Sequence, residues 1–253
     1  QDTQTQFGDS NLGQTTLANG SELNGLYIKR TATDLYVFAA GNLESNFNKF
    51  ELFIDSAAGG QNRLLNGQAD TDFGALRRMA EEAPDAGNGL TFDEGFTADH
   101  WFAMTCGNAF EAYYNYSPIG NSEYSIGYLG TNAGFGPLGG GNAPAGFEGA
   151  IDNSNIAGVD GGTGLTALAT TGLTTGVEFK IPLSMIGDPT GEIRLMVFVN
   201  GSGHDFLSNQ VLPGIGGGGN LGEPRTVSFA NIPGLQYVTV PGAGGTTVNG
   251  KIL

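Results

Sequence analysis

Oxygen-bearing side chains are concentrated in two glycine-flanked stretches, 150–160 and 200–209, that could bind a metal ion. Hard oxygen ligands on flexible backbone suit Ca²⁺. Asp and Asn also form turns through hydrogen bonds to the backbone, which requires no metal. The sequence therefore predicts calcium as a cofactor, with turn formation alone as the alternative, and the candidate ligands are Asp152, Asn155, Asp160, Asp205 and Asn209.

Aromatic side chains form a second group that could bind a ligand. Trp101 is the single tryptophan, and Tyr113 and Tyr116 belong to a tyrosine-rich segment. Aromatic rings have large apolar faces and, in tyrosine and tryptophan, a polar edge. These three residues are the candidate ligand-binding residues for a polysaccharide. The alternative for each of them is packing in the core or across neighbouring strands.

Catalytic motifs are incomplete. A serine hydrolase needs a nucleophile beside a base, but only His100 and His204 are available and no G-x-S-x-G elbow exists. One cysteine and two distant histidines give no zinc spacing. Two G-x-G-x-x-G matches, at 134–139 and 217–222, do not open a predicted helix and so lack the context for dinucleotide binding. The sequence predicts a protein that is not an enzyme.

The charge balance restricts the partners. The chain of 253 residues has 25 acidic and 10 basic residues, a formal net charge of -15. Such a surface repels the phosphates of nucleic acids and anionic membranes, whereas it attracts cations. We therefore expect no nucleic-acid partner.

Cysteine usage and the chain start favour secretion. The single Cys106 cannot form an internal disulfide. The sequence begins Gln1-Asp2-Thr3 without Met, as expected of a mature protein whose signal peptide has been removed. No apolar run approaches the length of a membrane-spanning helix. We expect a secreted protein at the cell surface or outside the cell, with no membrane insertion.

Strand patterns dominate the elements that must position these residues. Gly contributes 44 residues and charged residues only 14% of the chain, a composition typical of strands joined by glycine turns. Period-2 runs predict about ten to twelve strands, at 26–30, 34–40, 49–55, 100–105, 109–116, 124–129, 147–152, 176–181, 193–200, 225–229 and 236–240.

Helix is scarce, and the loops are rich in glycine. One helix is predicted over 72–83 with Asp72 as its cap, and a single helical turn over 182–186. Residues 130–149 and 213–222 are predicted to be long loops. The sequence predicts one all-β domain over 1–253, a single antiparallel β-sandwich resembling a jelly roll. Its predicted core residues are Leu35, Val37, Leu52, Ile54, Phe179, Ile181, Val197 and Val199.

The two chain ends suggest assembly tails. Residues 1–16 are polar, and 241–253 follow a proline and a glycine hinge with the apolar residues Val248, Ile252 and Leu253 near the tip. Such a tail could add a strand to the sheet edge of another copy, and a contact that does not close on itself produces a filament. An intramolecular last strand or an unattached terminus is the alternative.

Four segments together resemble the strand pattern of family 9 carbohydrate-binding modules and the related DOMON-like sandwiches. They are 34–38, 51–55, 177–184 and 196–200. The resemblance implies a secreted β-sandwich that is often stabilised by calcium. The sugar site of those modules is built from paired tryptophans, so it does not transfer to a chain with Trp101 alone, and neither histidine matches the DOMON haem ligands. The chain is also similar to secreted surface proteins of environmental bacteria.

Two functional hypotheses follow. The first is a non-catalytic extracellular structural protein, stabilised by calcium, that assembles with copies of itself into a filament, sheath or surface layer. The second is a carbohydrate-binding module for extracellular polysaccharide. Polymer formation and glycan binding distinguish the two.

Overall fold

The protein is an all-β sandwich of two antiparallel sheets. The computed structural model describes residues 21–107, 111–131, 135–154, 175–216, 218–242 and 249–250. Within them, the first sheet has the strand order β14-β1-β2-β10-β9-β7, and the second has the order β12-β11-β3-β4-β5-β6-β8, with β13 paired to β11.

The strand bounds follow the chain order. They are β1 Glu22–Arg30, β2 Asp34–Asn42, β3 Lys49–Asp55, β4 His100–Cys106, β5 Ala112–Pro118, β6 Ser125–Thr131, β7 Phe135–Pro137, β8 Gly139–Gly140, β9 Glu148–Asp152, β10 Gly176–Pro182, β11 Ile193–Asn200, β12 Leu207–Leu212, β13 Val238–Val240 and β14 Asn249–Gly250. The helix α1 spans Ala75–Met79, and short 3-10 helices span Leu183–Ile186, Pro224–Thr226 and Phe229–Asn231. The predicted helical turn at 182–186 is confirmed.

An inner core fills the space between the sheets. Alternate residues of each strand point to the same face, so apolar positions at every second residue bury one face of each sheet. Phe179 of the first sheet packs against Phe50, Phe102 and Phe147, with ring centroids 5.9, 6.3 and 5.6 Å apart. All eight residues that the alternation predicts for the core are fully buried.

A second apolar cluster covers the outer face of the second sheet. Every residue of β3 is buried, although half of them face away from the first sheet. Residues between β3 and β4, together with the chain after β12, form a layer over β11, β3 and β4. Its cluster contains Phe53, Phe92, Phe96, Trp101 and Phe198. The layer is made of loops and α1, and it stops short of β5 and β6.

The structure corrects the prediction of a helix over 72–83. The helix begins after Gly74, and Asp72, Phe73 and Ala75 all have positive φ, at 41°, 57° and 35°. Asp72 does not cap the helix, because its carboxylate receives the ammonium group of Lys49 instead. The local pattern predicted helix, but the ion pair decides the conformation.

Three other expectations also need correction. Residues 225–229 are not a strand, because a 3-10 helix begins at Pro224. The side chain of Glu223, just before this helix, accepts a hydrogen bond from the Arg225 N–H. Residues 130–149 are not a continuous loop, since they hold β7, β8 and the start of β9. The strand β12 was not predicted, because its buried Ser208, Asn209 and Gln210 hide the apolar signal.

Within the described part of the chain, no helix has the length and apolar character needed to cross a membrane.

Candidate ligand-binding site

Two rows of side chains run across the outer face of the second sheet where the covering layer ends. Directly opposed residues of antiparallel strands lie on one face. The pairing places Lys49, Thr105, Tyr113 and Tyr128 in one row across β3 to β6. The next row is formed by Glu51, Ala103, Asn115 and Ile126.

The first row, together with Asn115 and Ile126 of the second, forms the floor of an open cavity of about 400 Å³, which we call the groove. Ile126 is 51% exposed there. The rings of Tyr113 and Tyr128 lie 5.5 Å apart at 48°, and the Tyr113 hydroxyl donates to Glu111 at 2.6 Å. That hydrogen bond raises the pKa of Tyr113. The volume lies within the range of small-molecule sites.

Two phenylalanines from loops form the walls of the groove. Phe73 is 83% exposed and Phe47 is 40% exposed. Both have positive φ, at 57° and 66°, a region that bulky residues rarely adopt and that costs on the order of 1–3 kcal/mol. Phe47 lies against Gly107, where a Cβ atom would be only 2.5 Å from its ring. The fold therefore holds two exposed rings in unfavourable backbone conformations.

Behind the groove lies a group of four charged side chains, Lys49, Glu51, Asp72 and His204, which we call the charge network. Glu51 is fully buried and accepts from His204 Nδ1 at 2.6 Å through one oxygen and from Trp101 Nε1 at 2.6 Å through the other. The burial of Glu51 is tolerated because both of its oxygens receive donors.

Asp72 joins the charge network to the groove. Its Oδ2 accepts from Lys49 Nζ at 2.8 Å, Asn115 Nδ2 at 3.0 Å and His204 Nε2 at 3.4 Å. Its side chain is 20% exposed, whereas those of Lys49 and His204 are 2% and 0% exposed. The carboxylate is thus the member of the charge network that a ligand in the groove can reach.

The neighbouring charges shift the pKa values of Asp72 and His204 in opposite directions. Burial alone would raise the pKa of Asp72, but the hydrogen bond from His204 and the ammonium group of Lys49 hold it well below 3.8. Burial likewise would lower the pKa of His204, yet the carboxylates of Glu51 and Asp72 outweigh burial and raise it above 6.5.

Of the three predicted aromatic ligand residues, the structure places only Tyr113 in the groove. Trp101 is fully buried in the outer cluster and is bonded to Glu51, so it has no face for a sugar. Tyr116 packs on Phe102 of the inner core at 4.7 Å and donates to the Met185 carbonyl at 2.7 Å. The expectation that Trp101 binds a ligand is corrected, because its side chain is fully buried, whereas the half-buried Tyr116 faces the inner core and does not line the groove.

The predicted calcium ligands lie in different parts of the molecule. Asp152, at the end of β9 in the first sheet, accepts the Ser154 N–H at 2.9 Å, as a turn residue does. Asp205 is exposed beside the second sheet, and the buried Asn209 of β12 donates to the Gly218 carbonyl. Asn155 and Asp160 lie outside the described residues. Within these, no three His, Cys, Asp or Glu side chains form a metal-binding group, and calcium stays a prediction.

The predicted tail contains a short strand that pairs within the same chain. Residues Asn249 and Gly250 of β14 pair with Tyr27 and Leu26 of β1. The predicted assembly residues Val248, Ile252 and Leu253 lie outside the described residues. The intramolecular last strand, one of the alternatives, is the arrangement in this structure.

Sequence reasoning did not find Phe47, Phe73, Lys49 or Asp72 as site residues. A usable signal was present in Asn46-Phe47-Asn48 and Asp72-Phe73-Gly74. Each phenylalanine lies between turn-forming residues and outside the predicted strands. The strand pattern therefore does not place it in the core.

No protein-family model, curated protein or solved structure matches this chain.

Proposed function

We propose that the protein is a non-catalytic extracellular binding protein and that the groove holds a segment of a polysaccharide. The observation that carries this proposal is the arrangement of four rings, Phe47, Phe73, Tyr113 and Tyr128, around a floor with one accessible carboxylate. Ligand sites are typically apolar and aromatic, with few well-placed polar groups. A sugar ring has an apolar face of C–H groups and a rim of hydroxyls, so it matches both parts of the groove.

The proposal of a non-catalytic role rests on the enclosure of the histidines. A general base must lie within hydrogen-bond reach of the proton it removes. His204 and Glu51 are fully buried. His100 is hydrogen-bonded to Tyr116, and its burial lowers its pKa. None of the three side chains lines the groove.

A panel of soluble oligosaccharides, measured by isothermal titration calorimetry, tests the proposal. Tyr113→Ala and Phe73→Ala remove one ring each from the groove, and each should weaken binding about tenfold, the equivalent of about 1.4 kcal/mol. Leu235→Ala is the matched control, because Leu235 is 57% exposed and does not line the groove. Equal binding by the control and the groove variants, or no binding of any oligosaccharide by the wild type, would reject the proposal.

We propose self-assembly as a second candidate function because β14 pairs with β1 at the edge of the first sheet. The same pairing made with β1 of another copy would join molecules head to tail, and an unclosed contact of this type extends without limit. The filament, sheath or surface layer expected from the sequence would be its product.

Deletion of residues 246–253 tests this second candidate. The expected result is a folded monomer in light scattering under conditions in which the full chain forms polymers. Polymers that persist after the deletion would exclude the tail as the connector, and a full chain that stays monomeric would exclude the assembly.

A further inference from the structure

The groove is more acidic than a site for a neutral sugar requires. Asp72 Oδ2 receives three donors, whereas Asp72 Oδ1 has no partner among the residues that the structure describes. The side chain carrying this oxygen lines the groove. A second carboxylate, Glu111, accepts a hydrogen bond from the hydroxyl of Tyr113, which lines the groove.

The positive charges near these carboxylates are not exposed to a ligand. Lys49 and His204 are 2% and 0% exposed and are bonded to Asp72 and Glu51. Glu111 forms no ion pair in the described part of the chain. Glu111 adds a carboxylate next to Tyr113, and the net charge of -15 gives the surroundings of the groove a negative potential as well.

The ring faces add to this preference. The face of an aromatic ring carries partial negative charge and attracts a cation within about 6 Å of its centre. Phe47, Phe73, Tyr113 and Tyr128 all line the groove. A protonated amine in the groove would therefore lie among these four rings and within reach of the side chain that carries the free Asp72 oxygen.

We propose that the groove selects a polysaccharide that carries protonated amines, such as a chain of glucosamine units, with the ammonium group bound by Asp72 Oδ1. This inference rests on the proposed function and names its substrate class. The sugar rings lie against the aromatic walls, and the ammonium group forms a charge-assisted hydrogen bond with the carboxylate.

Titration calorimetry with a glucosamine hexamer and with its fully N-acetylated counterpart tests the proposal. At acidic pH, where the sugar amine is protonated, the hexamer should bind the wild type about tenfold tighter or more. The preference should disappear at alkaline pH, where the amine is neutral. Asp72 stays ionised throughout, because its pKa is held low by His204 and Lys49.

Asp72→Asn should abolish the preference for the amine-bearing hexamer over its acetylated counterpart. Asp188→Asn is the matched control, since Asp188 is exposed, lies outside the groove and gives the same change in net charge. Glu111→Gln leaves the charge network intact and should reduce the preference severalfold, so the proposal stays testable if Asp72→Asn does not fold.

Three outcomes would overturn the inference. Equal affinity for the two hexamers would remove the amine preference while the proposed polysaccharide function remains. Binding of neither hexamer, nor of any other oligosaccharide, would overturn both. Binding of an oligolysine peptide but of no sugar, with the same dependence on Asp72, would reassign the groove to basic proteins.

Discussion

The two faces of the second sheet are covered in different ways. On the inner face, the first sheet packs against β3, β4 and β11, and the contact is made of apolar side chains such as Phe50 and Phe179. On the outer face, loops and the five-residue helix α1 cover the same strands. The charge network lies on the outer face, beside the groove. The inner face provides the stable framework, and the outer face carries the polar chemistry.

The difference has a physical cause. A hydrogen-bonded sheet cannot shift locally without losing several backbone hydrogen bonds, whereas loops adopt special conformations and vary more freely. The unfavourable backbone angles of Phe47, Asp72 and Phe73 occur in such loops. The rigid sheet beneath these loops fixes the row that contains Lys49 and Tyr113, so the floor of the groove keeps its position next to Phe47 and Phe73.

The largest expected effect distinguishes the two cores. Phe179→Ala should lower the free energy of unfolding by about 4–5 kcal/mol, because the two sheets cannot close the cavity it leaves. Phe92→Ala should cost about 3 kcal/mol, since the loops around it can relax. Phe92 is also fully buried, and its ring lies 5.0 Å from Phe53 and 5.1 Å from Phe96. Urea unfolding curves with equal m-values measure both effects. A larger loss for Phe92→Ala would contradict the proposed difference between the faces.

The charge network should be the next most sensitive feature. Glu51→Gln leaves the shape unchanged but removes the charge that faces His204, so it should cost about 3 kcal/mol. The double variant Glu51→Gln/His204→Gln should cost less than the sum of the two single changes, because the two side chains interact directly. Additive losses in urea unfolding would show that the two side chains have no interaction energy with each other.

The pH dependence of stability should reveal the charge network without a change of shape. The pKa of His204 is raised, so its contribution is complete below pH of about 6.5 and declines as the pH rises through its folded value, by at most about 1.4 kcal/mol per pH unit. The pKa of Asp72 is lowered, so its contribution is complete above pH of about 4 and is lost as the pH falls through its folded value.

Comparison with His204→Asn isolates the alkaline part of this profile. Asn tolerates the φ of 55° at this position. Asp55 and Asp93, whose pKa values are raised by burial, are present in both proteins and their effects cancel in the difference. A stability difference that does not decrease above pH of about 6.5 would contradict the assignment of a protonated His204.

The inner core was predictable from the sequence, because a half-buried strand shows its buried face as an alternation. Leu35, Val37 and Phe179 were assigned correctly from that pattern. The outer layer was not predictable in this way. β12 is buried with polar residues that bond to other segments: Gln210 accepts the N–H of Leu23 in β1 at 3.0 Å, and Asn209 donates to the Gly218 carbonyl at 2.9 Å. Such hydrogen bonds join segments that no local pattern connects.

The groove was predictable only in part. Tyr113 was identified from composition and from its hairpin, but Trp101 was included because tryptophan often binds sugars, and the structure encloses it. Asp72 and His204 are 132 residues apart in the sequence. Only the fold reveals that they share a hydrogen bond, so the charge network could not be inferred from spacing.

The smallest expected effect on stability belongs to Phe73, and its sign is opposite to that of the others. Phe73 is 83% exposed and has a φ of 57°, so Phe73→Asn removes little packing and relieves backbone strain. Stability should rise by about 0.5–1 kcal/mol, while oligosaccharide affinity should fall about tenfold. Leu235→Asn, an exposed apolar residue outside the groove, should change neither. A variant Phe73→Asn that is less stable, or that binds as the wild type does, would show that the strained ring is not maintained for ligand binding.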